Sequence, residues 1–170
     1  MTDYIFATLL FLHILAVVGW MGAALLFSSV LGPSIKTMTP SGRAEFLTKT
    51  ISRYTNYIFA TSIGAVVFGL ALYAYAFRES LIPIGNAATL IQAGAGLGLV
   101  ALILSLAVVM PSARNLVRML KETQTSTPPP GSQEASIVSA IQRVRMGTGI
   151  VAGLLFIVLI LMVFGANFFV

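Results

Sequence analysis

The sequence contains no cysteine, only one histidine and few charged residues. Without cysteine, the chain cannot form a disulfide, a thiolate metal site or a cysteine nucleophile. Charged residues make up 9% of the 170 residues and hydrophobic residues 58%, whereas charged residues make up about a quarter of an average soluble domain. This composition excludes an ordinary soluble fold and predicts that lipid is the solvent.

Four long apolar stretches are present, at residues 4–31, 56–77, 87–110 and 146–169. Each exceeds the ~20 helical residues that cross a ~30 Å hydrocarbon core. The stretches lack the period-2 alternation of membrane strands, and four strands cannot close a barrel. The first stretch has no basic segment before it, so it is interpreted as a helix rather than a signal peptide. The sequence therefore predicts an all-α integral membrane protein, a four-transmembrane-helix bundle that forms a single membrane domain over residues 1–170.

The basic residues predict the orientation of the bundle. Nine of the ten lysines and arginines lie in segments 32–55 and 111–145, and they are Lys36, Arg43, Lys49, Arg53, Arg114, Arg118, Lys121, Arg143 and Arg145. By the positive-inside rule both segments are cytoplasmic and both termini lie outside, as expected for a multi-pass protein of the cell membrane. A nucleic-acid or anionic-lipid patch is the alternative interpretation, but the charges flank membrane spans, so no nucleic-acid partner is expected.

A flexible linker and a weak repeat organise the chain. Residues 123–133, with Pro128-Pro129-Pro130-Gly131, are polar and of low complexity, which predicts a flexible linker between two halves. The run Val30-Leu31-Gly32-Pro33-Ser34 ends the first span, and Val108-Val109-Met110-Pro111-Ser112 ends the third. The halves then form two parallel-related hairpins. The likeness is explained either by duplication of one hairpin or by convergence, because helix ends favour the same residue types.

His13 is the one ionisable residue deep inside a predicted span. It lies nine residues, or ~14 Å, along the helix from Tyr4, which places it near the membrane midplane. Trp20 shares its helical face. An ionisable residue at this depth is a functional candidate, because burying it is costly unless it has a partner. A neutral histidine can serve as a metal or heme-iron ligand, or it can simply hydrogen-bond to another helix.

Four further residues are candidates for the same site. Gly94 and Gly98 on the third span lie at about the depth of His13 and leave room either for a flat macrocycle or for close helix packing. Met162 on the fourth span lies at a similar depth, and its thioether is either a second ligand of heme or copper, or packing. Gln92 is expected to hydrogen-bond a ligand or a neighbouring helix.

The first span also carries a motif. Leu12-His13, followed by Trp20-Met21-Gly22, resembles the first-helix signature of small membrane families that include the HemJ-type protoporphyrinogen oxidases and the CopD-type copper-resistance proteins. The resemblance implies that His13 binds heme b. The Leu-Pro-Arg and Tyr-His residues that follow the tryptophan in HemJ-type proteins are absent here, and there is no methionine cluster of the kind a copper path needs. Whether the chain is an oxidoreductase therefore stays open at this point.

The sequence thus favours a membrane protein that binds heme b through His13 and has a role in electron transfer or heme-dependent redox chemistry. Trp20, Gly94 and Gly98 are predicted to line the cofactor, and the second axial position is open, filled by Met162 or supplied by another chain. Because there is one histidine per chain, bis-histidine ligation requires a homo-oligomer or a partner subunit. The alternatives are an accessory subunit of a larger membrane complex and a copper or small-solute transport protein.

Overall fold

A computed structural model describes residues 3–78, 85–125 and 132–167, and its regular structure there is entirely helical. The prediction of an all-α fold is confirmed. Six α-helices and two π-helical segments follow one another within the described residues: α1 (Tyr4–Leu26), π1 (Phe27–Leu31), α2 (Gly32–Thr37), α3 (Pro40–Ala76), α4 (Asn86–Leu104), π2 (Ser105–Val109), α5 (Met110–Thr125) and α6 (Ser132–Asn167).

These elements form four rods, each long and apolar enough to cross a membrane. The first rod is α1, π1 and α2, the second is α3, the third is α4, π2 and α5, and the fourth is α6. The spans that qualify are Tyr4–Thr37, Ser41–Ala76, Ala88–Glu122 and Ala135–Gly165. The four predicted apolar helices are confirmed, and each rod extends beyond its predicted apolar run. The extra turns belong to the basic segments, which continue the helices because their apolar residues keep a helical period.

The predicted linker lies only in part within the described residues. Residues 123–125 end α5, and residues 132 and 133 begin α6. Residues 126–131, with the three prolines, lie outside the described residues, so the flexibility of this linker stays a prediction.

Two helix starts have the caps that their sequences favour. The Asp3 side chain accepts a hydrogen bond from the Phe6 N–H at 3.2 Å and caps α1. Thr39 caps α3 by accepting a bond from the Gly42 N–H at 3.3 Å, and Pro40 occupies the first helical position, where its missing N–H removes no helical bond. These caps satisfy backbone donors that would otherwise be left without partners.

The rods pack as two pairs, α1 along α3 and α4 along α6, and the pairs meet where α1 contacts α6 and where α3 contacts α5 and α4. One core lies at the end of the bundle that carries most of the arginines and lysines, called the basic end below, and contains Ile35, Leu47, Leu116, Leu120 and Ile141. The second core lies nearer the other end. Trp20 is its largest side chain, and five of its ten buried members are alanines: Ala23, Ala24, Ala65, Ala101 and Ala152. Small residues let helix backbones approach closely, which is how helices associate in lipid.

The two π-helical segments occupy matching positions in the two halves. The Gly32 N–H bonds to the Phe27 carbonyl, and the Met110 N–H bonds to the Ser105 carbonyl, five residues back in each case. Each segment ends two residues before a proline, Pro33 or Pro111. Within an α-helix a proline ring clashes with the carbonyl four residues earlier. The wider π turn relieves that crowding, so the rods continue through their prolines.

Candidate functional site

His13 lies on α1 where this helix faces α3. Its Nδ1 is 2.8 Å from the carbonyl oxygen of Ala65, and the side chain is half-buried. A carbonyl oxygen only accepts, so Nδ1 carries the proton and donates it. In the neutral ring this tautomer leaves the lone pair on Nε2. Such a bond from the second nitrogen to a carbonyl is the usual way that a metal-binding imidazole is oriented.

Gly69 makes room for the imidazole one turn further along α3. A Cβ added to Gly69 would lie 2.8 Å from His13 Cε1 and 3.0 Å from Nδ1. Any larger residue at position 69 would therefore displace the ring. The bond to the Ala65 carbonyl and the space left by the missing side chain of Gly69 together position the histidine against α3.

Trp20 occupies the centre of the second core, two turns along α1 from His13. Its side chain is 1% exposed, and it packs in the cluster that also contains Ala65. Ala65 therefore joins the two predicted site residues: it packs in the core of Trp20, and its carbonyl binds His13. The Trp20 Nε1 atom is buried and has no hydrogen-bond partner within the described residues.

Gly94 and Met162 form a separate group on the other helix pair. A Cβ on Gly94 would lie 3.0 Å from the Met162 Cε atom, so the thioether methyl fills the space above this glycine. A Cβ on Gly98 would meet nothing within 4 Å. The predicted site residues thus fall into two groups: His13 is held between α1 and α3, whereas Gly94 and Met162 meet where α4 packs on α6.

Gln92 makes a contact between the two pairs near the opposite end from the basic residues. Its Nε2 donates to the hydroxyl of Tyr73 on α3 at 3.3 Å. This contact matches the expectation that Gln92 bonds a neighbouring helix, and it ties α4 to α3.

Arg145 reaches from α6 to the first π-helical segment. Its Nε donates to the Ser28 carbonyl at 3.1 Å, and its side chain crosses Gly32, where a Cβ would lie 3.0 Å from Arg145 Cδ. The Ser28 carbonyl needs this donor for a simple reason. In an α-helix the Ser28 carbonyl would accept from the Gly32 N–H, but that group binds the Phe27 carbonyl instead. In a π-helix the Ser28 carbonyl would accept from residue 33, which is a proline and has no N–H.

Few of the described side chains can bind a metal ion, so they suit a site that needs few protein ligands. The described residues include no group of three or more His, Cys, Asp or Glu side chains that could hold a metal ion. A heme iron needs only one or two axial ligands from the protein, since the porphyrin supplies the others. His13, whose Nε2 makes no hydrogen bond within the described residues, meets that requirement, whereas a dedicated copper site needs more ligands than these.

Sequence reasoning missed Ala65 and Gly69, the residues that position His13. It placed the relevant glycines on the third span, at Gly94 and Gly98, because those share the depth of His13. The sequence did show two glycines in the second span, Gly64 and Gly69, where another helix could approach closely. Depth alone, however, does not show which span faces His13.

The chain matches no protein-family model, no curated protein and no solved structure.

Proposed function

We propose that this chain is a multi-pass membrane protein that binds a b-type heme through His13 and has an electron-transfer or heme-dependent redox role. The observation that carries the proposal is the bond from His13 Nδ1 to the Ala65 carbonyl, 2.8 Å long, in a bundle of four apolar helices. This bond orients the ring and leaves Nε2 as the atom that would bind iron. The motif around His13 and Trp20 supports the same ligand.

The charge distribution supports an orientation with the basic end in the cytoplasm. Both termini would then lie outside the cell membrane. Most of the described cations lie on α2, on α5 and in the N-terminal halves of α3 and α6, at one end of the bundle. The exception is Arg78, whose guanidinium lies 5.0 Å from the centre of the Tyr75 ring, beside the chain terminus that carries Asp3.

When bound, a heme supplies reversible one-electron chemistry at its iron. The protein would contribute the axial imidazole, its orientation by Ala65 and the space that Gly69 gives the ring. Met162 is engaged with Gly94 on the other helix pair. We therefore place the second axial position in a second copy of the chain or a partner subunit, or leave it open.

The test is the visible spectrum of the purified protein, oxidised and dithionite-reduced, after expression with adequate heme. The expected result is a Soret band with reduced b-type peaks that His13→Ala abolishes. Thr61→Val is the matched control, because the Thr61 hydroxyl bonds carbonyls of its own helix, at 2.8 Å to Tyr57. The control is expected to keep the full spectrum. A well-folded wild-type protein without a heme spectrum would contradict the proposal.

The second candidate is an accessory subunit of a larger membrane complex, and one observation favours it. Several glycines have open space where a Cβ would be, namely Gly22, Gly96, Gly98 and Gly153. Glycines that face outward let a further helix approach closely. Under this hypothesis His13 is a structural residue whose role ends with the bond to Ala65. The protein would then be colourless and would co-purify with partner subunits.

A further inference from the structure

Two hydrogen-bonding side chains in the second core lack partners. Trp20 is 1% exposed and Ser105 is 2% exposed. The Trp20 Nε1 and Ser105 Oγ atoms are both buried and make no hydrogen bond within the described residues. A buried polar group without a partner costs about 1–3 kcal/mol relative to a bonded one. Native structures rarely leave two such groups in one core without something to bind them.

Ser105 lies on the face of the third rod that contributes Ala101 and Val109 to the second core. Ala101 lies one turn before it and Val109 one turn after it, and both pack in the cluster of Trp20. Ala101, Ser105 and Val109 are all buried, at 0%, 2% and 4% exposure. The serine hydroxyl is therefore presented to the core that holds the indole.

The usual partner of a helical serine is absent here. Other hydroxyls in the bundle bond carbonyls of their own helix, as Ser62 does with Phe59 at 3.1 Å and Thr148 with Val144 at 2.9 Å. Ser105 opens π2 and makes no such bond in the described structure. The next carbonyl along the helix belongs to Leu106. Its α-helical donor, the Met110 N–H, binds the Ser105 carbonyl instead, and the residue that would donate in a π-helix, Pro111, has no N–H.

We propose that a buried water molecule binds in this core and bridges Trp20 Nε1 and Ser105 Oγ. The indole N–H is only a donor, so its partner must supply an acceptor oxygen. A water accepts from the indole, exchanges a bond with the serine hydroxyl and still has a proton for the Leu106 carbonyl. Three such bonds are typical of internal waters. The surroundings are uncharged and apolar, which excludes an ion as the bridging group.

This water would tie the two halves of the chain together. Trp20 belongs to the first half and Ser105 to the second, and each lies near the π segment of its own half. The inference does not depend on heme binding, because neither group belongs to the ligand set of His13.

The single tryptophan of the sequence makes the test specific. The ¹H–¹⁵N spectrum of ¹⁵N-tryptophan-labelled protein in lipid nanodiscs contains one indole signal, which Trp20→Phe removes and so assigns. The expected result is a downfield, hydrogen-bonded indole proton with a cross-peak to a slowly exchanging water. Ser105→Ala is expected to shift this signal and weaken the cross-peak. Ser62→Ala, which removes a buried hydroxyl already bonded within its helix, is expected to do neither.

Three outcomes would overturn the proposal. An indole signal without a water cross-peak, unchanged by Ser105→Ala, would show that the donor is unbound. A signal that shifts in Ser105→Ala without any water cross-peak would show a direct bond between the two side chains. A water cross-peak that survives Ser105→Ala unchanged would show that the serine takes no part. If Ser105→Ala does not fold, Ser105→Cys weakens the hydrogen bond at nearly constant volume and is judged by the same outcomes.

Discussion

Arg145 on α6 donates from Nε to the carbonyl oxygen of Ser28 in the first π-helical segment, across 3.1 Å. Pro33 makes this bond necessary, because it removes the N–H that the carbonyl would otherwise meet. The arginine therefore replaces a missing backbone donor and joins the first rod to the fourth. Arg53 precedes the second span as Arg145 precedes the fourth, but its side chain is exposed. The two halves thus share the π turn, whereas the two arginines differ in exposure.

Replacing Arg145 with methionine is expected to destabilise the bundle. The variant keeps an apolar stem over Gly32 but leaves the Ser28 carbonyl without a donor, at a cost of about 1–3 kcal/mol. Thermal unfolding in detergent should show a lower midpoint. Arg143→Met removes an exposed arginine two residues earlier and is expected to have little effect. Equal losses in both variants would contradict the role of the bond.

Gly69→Ala is expected to disturb His13 directly. The added Cβ would lie 2.8 Å from the imidazole, so the ring must move and its bond to Ala65 must break or lengthen. Overpacking of this kind costs about 1–3 kcal/mol, and we expect reduced heme content with an altered Soret band. Gly64→Ala is the matched control, because its Cβ would meet Ala16 at an ordinary 3.6 Å. If Gly69→Ala has the heme content and spectrum of the wild type, the imidazole is not held as described.

Met162→Leu is expected to leave the heme spectrum unchanged. The methionine methyl packs on Gly94 between α6 and α4, and the leucine side chain is of similar volume. Oxidised and reduced spectra of the variant should overlay those of the wild type. Loss of the band typical of a thioether ligand would instead identify Met162 as the second axial ligand, as the sequence alone allowed.

Asp3 is expected to give the fold a small acid sensitivity. The Phe6 N–H, and then the Tyr75 hydroxyl at 2.9 Å, lower the pKa of this carboxyl below its usual value. A carboxyl whose pKa is lower in the folded state adds stability above its unfolded pKa of about 4, and this stability is lost as the pH falls through the folded value. Unfolding midpoints measured from neutral to acid pH should fall less in Asp3→Asn than in the wild type. Identical curves would show that the cap carries no charge-dependent stability.

Much of the fold was predictable because lipid imposes a strong constraint on sequence. Spans of this length and hydropathy can satisfy their backbone bonds only as helices. The likeness of the segments around Pro33 and Pro111 was also visible in the sequence. The π turns were not predicted, because sequence gives no simple sign of whether a proline bends a helix or is accommodated by a wider turn.

The candidate site was predictable only in part. His13 and Trp20 could be found because an ionisable residue and a single tryptophan are conspicuous in an apolar span. Their partners depend on which rods become neighbours, and depth along a helix does not determine that. The sequence therefore grouped His13 with Gly94 and Met162, whereas the fold sets it against Ala65 and Gly69.

The central claim is that His13 is the axial ligand of a heme, and the single histidine of the sequence allows a direct measurement. The protein is labelled with ¹⁵N-histidine only, purified with a tag that contains no histidine, and studied by pulsed electron paramagnetic resonance in the oxidised state. We predict a strong ¹⁵N coupling to the heme iron, which in protein purified free of other subunits can arise only from His13 of this chain or of a second copy. A heme signal without ¹⁵N coupling, or folded protein without heme, would contradict it.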